Sequence, residues 1–252
     1  MSPLLWSKRK KSLSSKALIL CFILLLQASF AALAANISGS ITCNGKGLPG
    51  VVVSDGYAFA TTDAQGHYTL TSDKKNGYVF YVIPSGYMPK ADDSSDWGER
   101  LFGGFWQPLI AHEDKPSDET HDFVLQKEKN DKHIMVFEAD PQLANRKDTR
   151  DMAQYERLFL PRIKQEAKKA GRTPIYSTVL GDLSWDCFWY RRNFSIADYK
   201  NYIAKNHQYY SMRHFCVTGN HDNNPSIHHS DSTDFLASAS FRQAVGPNYY
   251  SY

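Results

Sequence analysis

Residues 175–182 read Ile-Tyr-Ser-Thr-Val-Leu-Gly-Asp, a short apolar run that stops at a glycine and a carboxylate. The same arrangement occurs twice more. Residues 134–142, Ile-Met-Val-Phe-Glu-Ala-Asp-Pro-Gln, set Asp140 and Gln142 behind one run, and residues 214–222 set Gly219-Asn220-His221-Asp222 behind another. Short apolar runs bounded by turn residues read as strands. Between the first two, Met152, Tyr155, Phe159, Ile163 and Ala167 recur every three or four residues. This spacing predicts a helix over 149–170 that ends at Gly171 and is kinked or divided at Pro161. Further helices are predicted over 196–206 and 233–245, and 249–252 reads as the start of another strand. Alternating strands and helices argue for an α/β layered region with parallel strands. Ligands of such sheets collect beyond the carboxyl ends of the strands, where all three polar clusters fall.

Upstream the pattern is different. Residues 36–128 read as an all-β sandwich: 37–42 alternates apolar and polar residues, and turn chemistry recurs at Asn44-Gly45, Pro49-Gly50, Asp55-Gly56, 63–66, Asn76-Gly77 and Ser85-Gly86. Between the turns lie 51–53, 67–70 and 78–83, rich in β-branched and aromatic residues, and 121–125 offers a closing strand. Trp97, Phe102, Phe105 and Trp106 are candidates to cap this region or to touch the next one. A charged stretch, 127–132, links the two. The chain is therefore expected to be multidomain, with 129–252 as the α/β part.

The first 35 residues read as a signal peptide. Lys8-Arg9-Lys10-Lys11 form a basic start, 17–26 an apolar centre, and Ala32-Leu33-Ala34 a small-x-small cleavage pattern. The alternative is a retained anchor, since the apolar stretch with its alanines, 17–35, is nearly long enough to span a bilayer. With the segment go Lys8, Arg9, Lys10, Lys11 and Lys16 of the 29 basic residues, leaving 24 against 26 acidic ones, and the formal charge passes from +3 to −2. Basicity thus belongs to targeting and gives no nucleic-acid signature. Cys43, Cys187 and Cys216 remain, at spacings that suit neither a disulfide framework nor a zinc motif. Cys216 is expected to be a small buried hydrophobe.

Chemistry gathers at the three strand exits. Two divalent ions held side by side can activate a water and neutralise a phosphoryl transition state. Their cradle needs hard ligands on several loops, which Asp140, Asp182 and Asn220 can supply. His221 can offer an imidazole or a proton, and Asp222 can hold its ring in one tautomer. Asp186 reads as structural, and His228 and His229 as solvated loop residues.

Two resemblances follow from these residues. The stretch Gly39-Ser40-Ile41, 47–56 and 62–68 resembles the carboxypeptidase-regulatory-like family of prealbumin-type sandwiches, which implies an accessory module. The order Asp-x-Gln, Gly-Asp, Gly-Asn-His-Asp over 133–252 is similar to the calcineurin-like metallophosphoesterase superfamily. That resemblance implies an αββα-type hydrolase domain and two divalent metal ions (manganese, iron, zinc or similar). It makes Asp140, Gln142, Asp182 and Asn220 metal ligands, Asp182 bridging both ions. His221 becomes the general acid, oriented by Asp222, and the partner a phosphate-ester substrate. Gln142 stands where most of the family has histidine, and an amide oxygen is a harder, weaker ligand than imidazole.

The superfamily completes its site with a later histidine and a Gly-His-x-His motif, and neither occurs here. The α/β part is therefore expected to be incomplete at its C-terminal side, with an open sheet edge and poor solubility. The expected function is an exported phosphoesterase acting on mono- or diesters. The alternative is a non-catalytic surface or carbohydrate-associated binder that works through the sandwich. No membrane association is expected beyond the signal segment.

Overall fold

The computed structural model describes residues 35–90, 104–110, 117–142, 153–183, 213–230 and 233–252. Residues 1–34 of the expected signal segment, the helix expected over 196–206, and Trp97, Phe102, Asp186 and Cys187 lie outside them. The described residues are mostly β, with few helices.

Ten strands build the first region: β1 Ala35–Cys43, β2 Lys46–Gly47, β3 Val52–Ser54, β4 Phe59–Thr61, β5 His67–Ser72, β6 Tyr78–Tyr81, β7 Tyr87–Pro89, β8 Trp106–Pro108, β9 Glu119–Thr120 and β10 Phe123–Lys127. β1 is their spine. Its first half pairs antiparallel with β5, Ala35 opposite Ser72 through Ser40 opposite His67, and parallel with β9. Its second half pairs parallel with β10 and, through a tight hairpin, with β2. Asn44 (φ 52°) and Gly45 (φ 72°) make that hairpin, both left-handed as a two-residue turn between twisted strands requires. β10 also pairs with β7, and a second sheet runs β4-β3-β6-β8.

One apolar cluster serves both sheets. Strict alternation in β5 buries Tyr68, Leu70 and Ser72 while His67, Thr69 and Thr71 face outward. β6 is buried throughout. Ile37, Ile41 and Val53 are fully buried in this cluster. Lys74 is a buried cation paired with Glu119, whose second oxygen meets His121 Nε2 at 2.9 Å.

The second region holds β11 Ile134–Glu138, β12 Ile175–Leu180 and β13 Arg213–Val217, parallel and in register, in the order β11-β12-β13. Between β11 and β12 runs a π-helical turn, Tyr155–Phe159, followed by α1, Leu160–Ala170. Over its described residues, 153–170, the expected helix is continuous and passes from π to α at Leu160, next to Pro161. Pro161 follows directly on the π-helical turn, in the first turn of α1. α1 buries Leu160 and Ile163, carries Lys168 and Lys169 near its carbonyl end, and stops at Gly171, φ 63°. After β13 come a 3₁₀ turn, Asn220–Asp222, and two short helices, α2 Asp234–Ala237 and α3 Ala239–Ala244. The single helix expected over 233–245 is broken at Ser238.

Residues 249–252 form no strand, contrary to expectation. Their aromatic rings hold them to the sheet instead of a backbone ladder. Tyr252 stacks on Phe215 with centroids 3.7 Å apart, and the Tyr250 hydroxyl donates to the Cys216 carbonyl at 2.8 Å. Cys216 is buried and not disulfide-bonded.

The two regions share packing. Tyr176 and Phe215 belong to the same apolar cluster as the ten-strand region, and Phe105 lies 5.0 Å from Tyr250, centroid to centroid. Arg213 donates to the Pro89 carbonyl, Tyr176 to Glu128, and Tyr78 to Asn248 at 2.9 Å. Phe105 therefore does touch the second region, and a β-rich platform braces the parallel strands from one side.

Candidate functional site

β12 ends at Leu180, and the chain turns at once through Gly181 and Asp182, with φ of 83° and 49°. A Cβ on Gly181 would lie 2.8 Å from Gly219 Cα, and one on Gly219 only 2.1 Å from both Asp182 N and Asp182 Oδ1. The loops after β12 and β13 touch here because both positions lack a side chain. Asp140 (φ 46°) and Gln142 (φ 43°) are left-handed too. Non-glycine residues enter that region at a cost of roughly 1–2 kcal/mol, with aspartate among the better tolerated. Three such residues at the ends of neighbouring strands mark a backbone held by its surroundings.

Asp182 is what holds it. It is only 7% exposed. Its carbonyl accepts from the Gln142 N–H at 2.8 Å, its Oδ1 from the His221 N–H at 3.0 Å, and its Oδ2 from Gln142 Nε2 at 3.4 Å. One residue therefore ties together the loops that follow β11, β12 and β13. Asp140 is exposed two residues before Gln142, and Asn220 is exposed at the start of the 3₁₀ turn. His221 is half-buried. Asp222 is fully buried, and its Oδ2 accepts from the main chain of Gly219 at 2.9 Å and Leu183 at 3.3 Å. This carboxylate fastens the turn that carries Asn220 and His221. His228 and His229 are exposed, and His229 Nδ1 lies 2.7 Å from Asp234.

A buried acid behind this cluster was not singled out from the sequence. Glu138, the last residue of β11, is 5% exposed. Its Oε2 accepts from the Tyr155 hydroxyl and its Oε1 from that of Ser177, each at 2.7 Å. Burial pushes its carboxyl above the usual range, opposed in part by these two donors. The available signal was a glutamate inside an apolar run, a residue rarely buried without partners.

Chemically, the cluster offers two carboxylates, from Asp140 and Asp182, and two amides, from Gln142 and Asn220. Among the described residues no three His, Cys, Asp or Glu side chains gather in a metal-holding group. The donors present suit a hard divalent cation, which prefers oxygen. Gly219 leaves the flank of the Asp182 carboxylate clear where any other residue would fill it.

No curated protein matches the chain. Among solved structures, a DUF3823 family protein from Parabacteroides merdae is similar at 13% identity and a TM-score of 0.24, over 38% of this chain. The chain spans 47% of that protein, a likeness too slight to bear on the fold. Residues 35–128, the region built on β1, match the family described as the N terminal of calcineurin-like phosphoesterase.

Proposed function

We propose that the chain is an exported metal-dependent phosphoesterase, directed out of the cytoplasm by residues 1–35 and acting on phosphate mono- or diesters. The observation that carries the reading is the triple linkage through Asp182, which sets hard oxygen donors at the carboxyl ends of three parallel strands. The match of residues 35–128 to a region that accompanies calcineurin-like phosphoesterases supports the same activity. In this reading 36–128 is a sandwich-type accessory domain and 129–252 part of a layered α/β hydrolase domain.

Asp140 and Gln142 would hold one ion, Asn220 a second, and Asp182 would bridge them. When bound, such a pair supplies an activated water and neutralises charge on the phosphoryl oxygens. Asp182 keeps its orientation through the His221 N–H, so ligand and proton donor move as one unit. The His221 imidazole protonates the departing oxygen. Asp222 fixes the turn that aims it.

The test is metal content together with turnover of an aryl phosphate. Asp182→Asn is expected to lose metal and activity together. His221→Ala is expected to keep metal and lose about 10²–10⁴-fold in turnover, the usual range for a general acid. Full activity in either variant removes that residue from the mechanism. A second reading is a surface or carbohydrate binder, favoured by the absence of a His, Cys, Asp or Glu triad among the described residues. Polysaccharide binding that survives chelation, with no phosphatase activity, would establish it.

A further inference from the structure

A cavity of about 380 Å³ lies between the ten-strand region and the α2–α3 segment, and neither Asp140 nor Asp182 lines it. That volume is within the range of small-molecule sites. At one wall sits Arg242, 7% exposed, donating through Nε to the Asn76 carbonyl at 3.1 Å and through Nη1 to the Ser238 hydroxyl. Among the described residues no carboxylate lies within 4.0 Å of this guanidinium, and its remaining donors have no protein acceptor. Burial works against its charge. A buried cation without a counter-charge is costly, and an anion with oxygen acceptors is its usual partner.

Two further observations point the same way. Thr218 also lines the cavity, and its hydroxyl is buried without a hydrogen-bond partner. Lys75 places its ammonium 4.5 Å from the Phe235 ring and 5.7 Å from the Tyr57 ring, and both rings line the cavity. The one carboxylate of the lining, Asp234, accepts at Oδ1 from the Ser230 N–H and meets His229 there. The cavity thus combines a guanidinium with flat apolar faces, with a second cation close to two of its rings.

We propose that this cavity binds a small ring-bearing organic anion, its charged group on Arg242 and its ring among Tyr57, Phe235 and Tyr249. The site stands independently of the phosphoesterase reading, although Thr218 and Asn223 flank the turn that carries His221.

The test uses phenylphosphonate, which cannot be hydrolysed as an ester, titrated by calorimetry into the whole chain in the presence of a chelator. Saturable binding at one site is expected, with methylphosphonate several-fold weaker for want of a ring. Arg242→Gln is expected to weaken binding by about tenfold or more, as loss of a charge-assisted pair does. Tyr249→Glu, at an exposed side chain, sets a like charge on the lining and is expected to weaken binding comparably without unfolding the chain. That variant decides the matter if Arg242→Gln melts out. Asp182→Asn is expected to bind as the parent does, which separates this site from the proposed hydrolytic one. No saturable binding, or binding unaltered by both cavity variants, or binding lost in Asp182→Asn, overturns the proposal.

Discussion

Gly219→Ala tests the contact on which the candidate site is built. Gly219 has φ −105° and ψ 179°, an extended conformation open to any residue, so alanine brings no backbone strain. Its whole effect is steric. The added methyl would meet Asp182 N and Oδ1 at 2.1 Å, where ordinary van der Waals contact begins near 3.4 Å. Something must move by about 1 Å, and of the two partners the one on a side chain is the carboxylate proposed to bridge two ions. Displacements of that size at a catalytic group cost on the order of 10²-fold in rate. Overpacking of this kind also destabilises by roughly 1–3 kcal/mol. The assay pairs turnover of an aryl phosphate with thermal melting of the same preparations. A folded Gly219→Ala variant with parental activity and metal content would refute both the contact and the role given to Asp182.

Glu119→Gln leaves Lys74 buried against a neutral amide, and is expected to cost about 3–5 kcal/mol, read from denaturant midpoints. Burial pushes the Glu119 carboxyl up, but Lys74, His121 and the Ile110 N–H outweigh it and hold it below its ordinary value. Its contribution is therefore present above the ordinary carboxylate range and lost as pH falls through the depressed value. Stability measured against pH should show that acid loss in the parent and less of it in the glutamine variant. Gly246→Ala, at φ 123° with a Cβ only 2.6 Å from the Trp106 ring, is expected to lower the melting temperature by loosening the contact between the two regions. Gln142→His replaces an amide oxygen by imidazole and is expected to tighten zinc binding relative to manganese, measured by competitive calorimetry.

The local signals carried far. Alternation in β1, the β-branched and aromatic composition of 67–70 in β5, the Asn44-Gly45 turn and the three apolar runs ending in polar clusters all mark strands the structure contains. Local pattern could not show that β1 pairs parallel with β9 and β10 some eighty residues downstream, because long-range register depends on partners that no window includes. Residues 249–252 misled for a physical reason: tyrosine favours strands because its ring packs well on a sheet, and here rings pack without backbone pairing. The nearness of Gln142, Asp182 and His221 follows from three parallel strands ending at one edge. The left-handed turns at Asp140, Gln142 and Asp182 had no such signal; those at Gln142 and Asp182 are tied by tertiary bonds between the two residues. The guanidinium of Arg242 was equally silent, because its isolation exists only where two regions meet.

Fastening the loops through the Gln142 and His221 main-chain amides divides the labour between scaffold and reagent. A peptide N–H is supplied by any residue but proline, so the exposed side chain at 220, and at some conformational cost those at 140 and 142, can be exchanged while these main-chain bonds persist. Asp182 has no such freedom. A lineage built on this frame could retune its affinity for one ion or another by single substitutions around an immovable carboxylate.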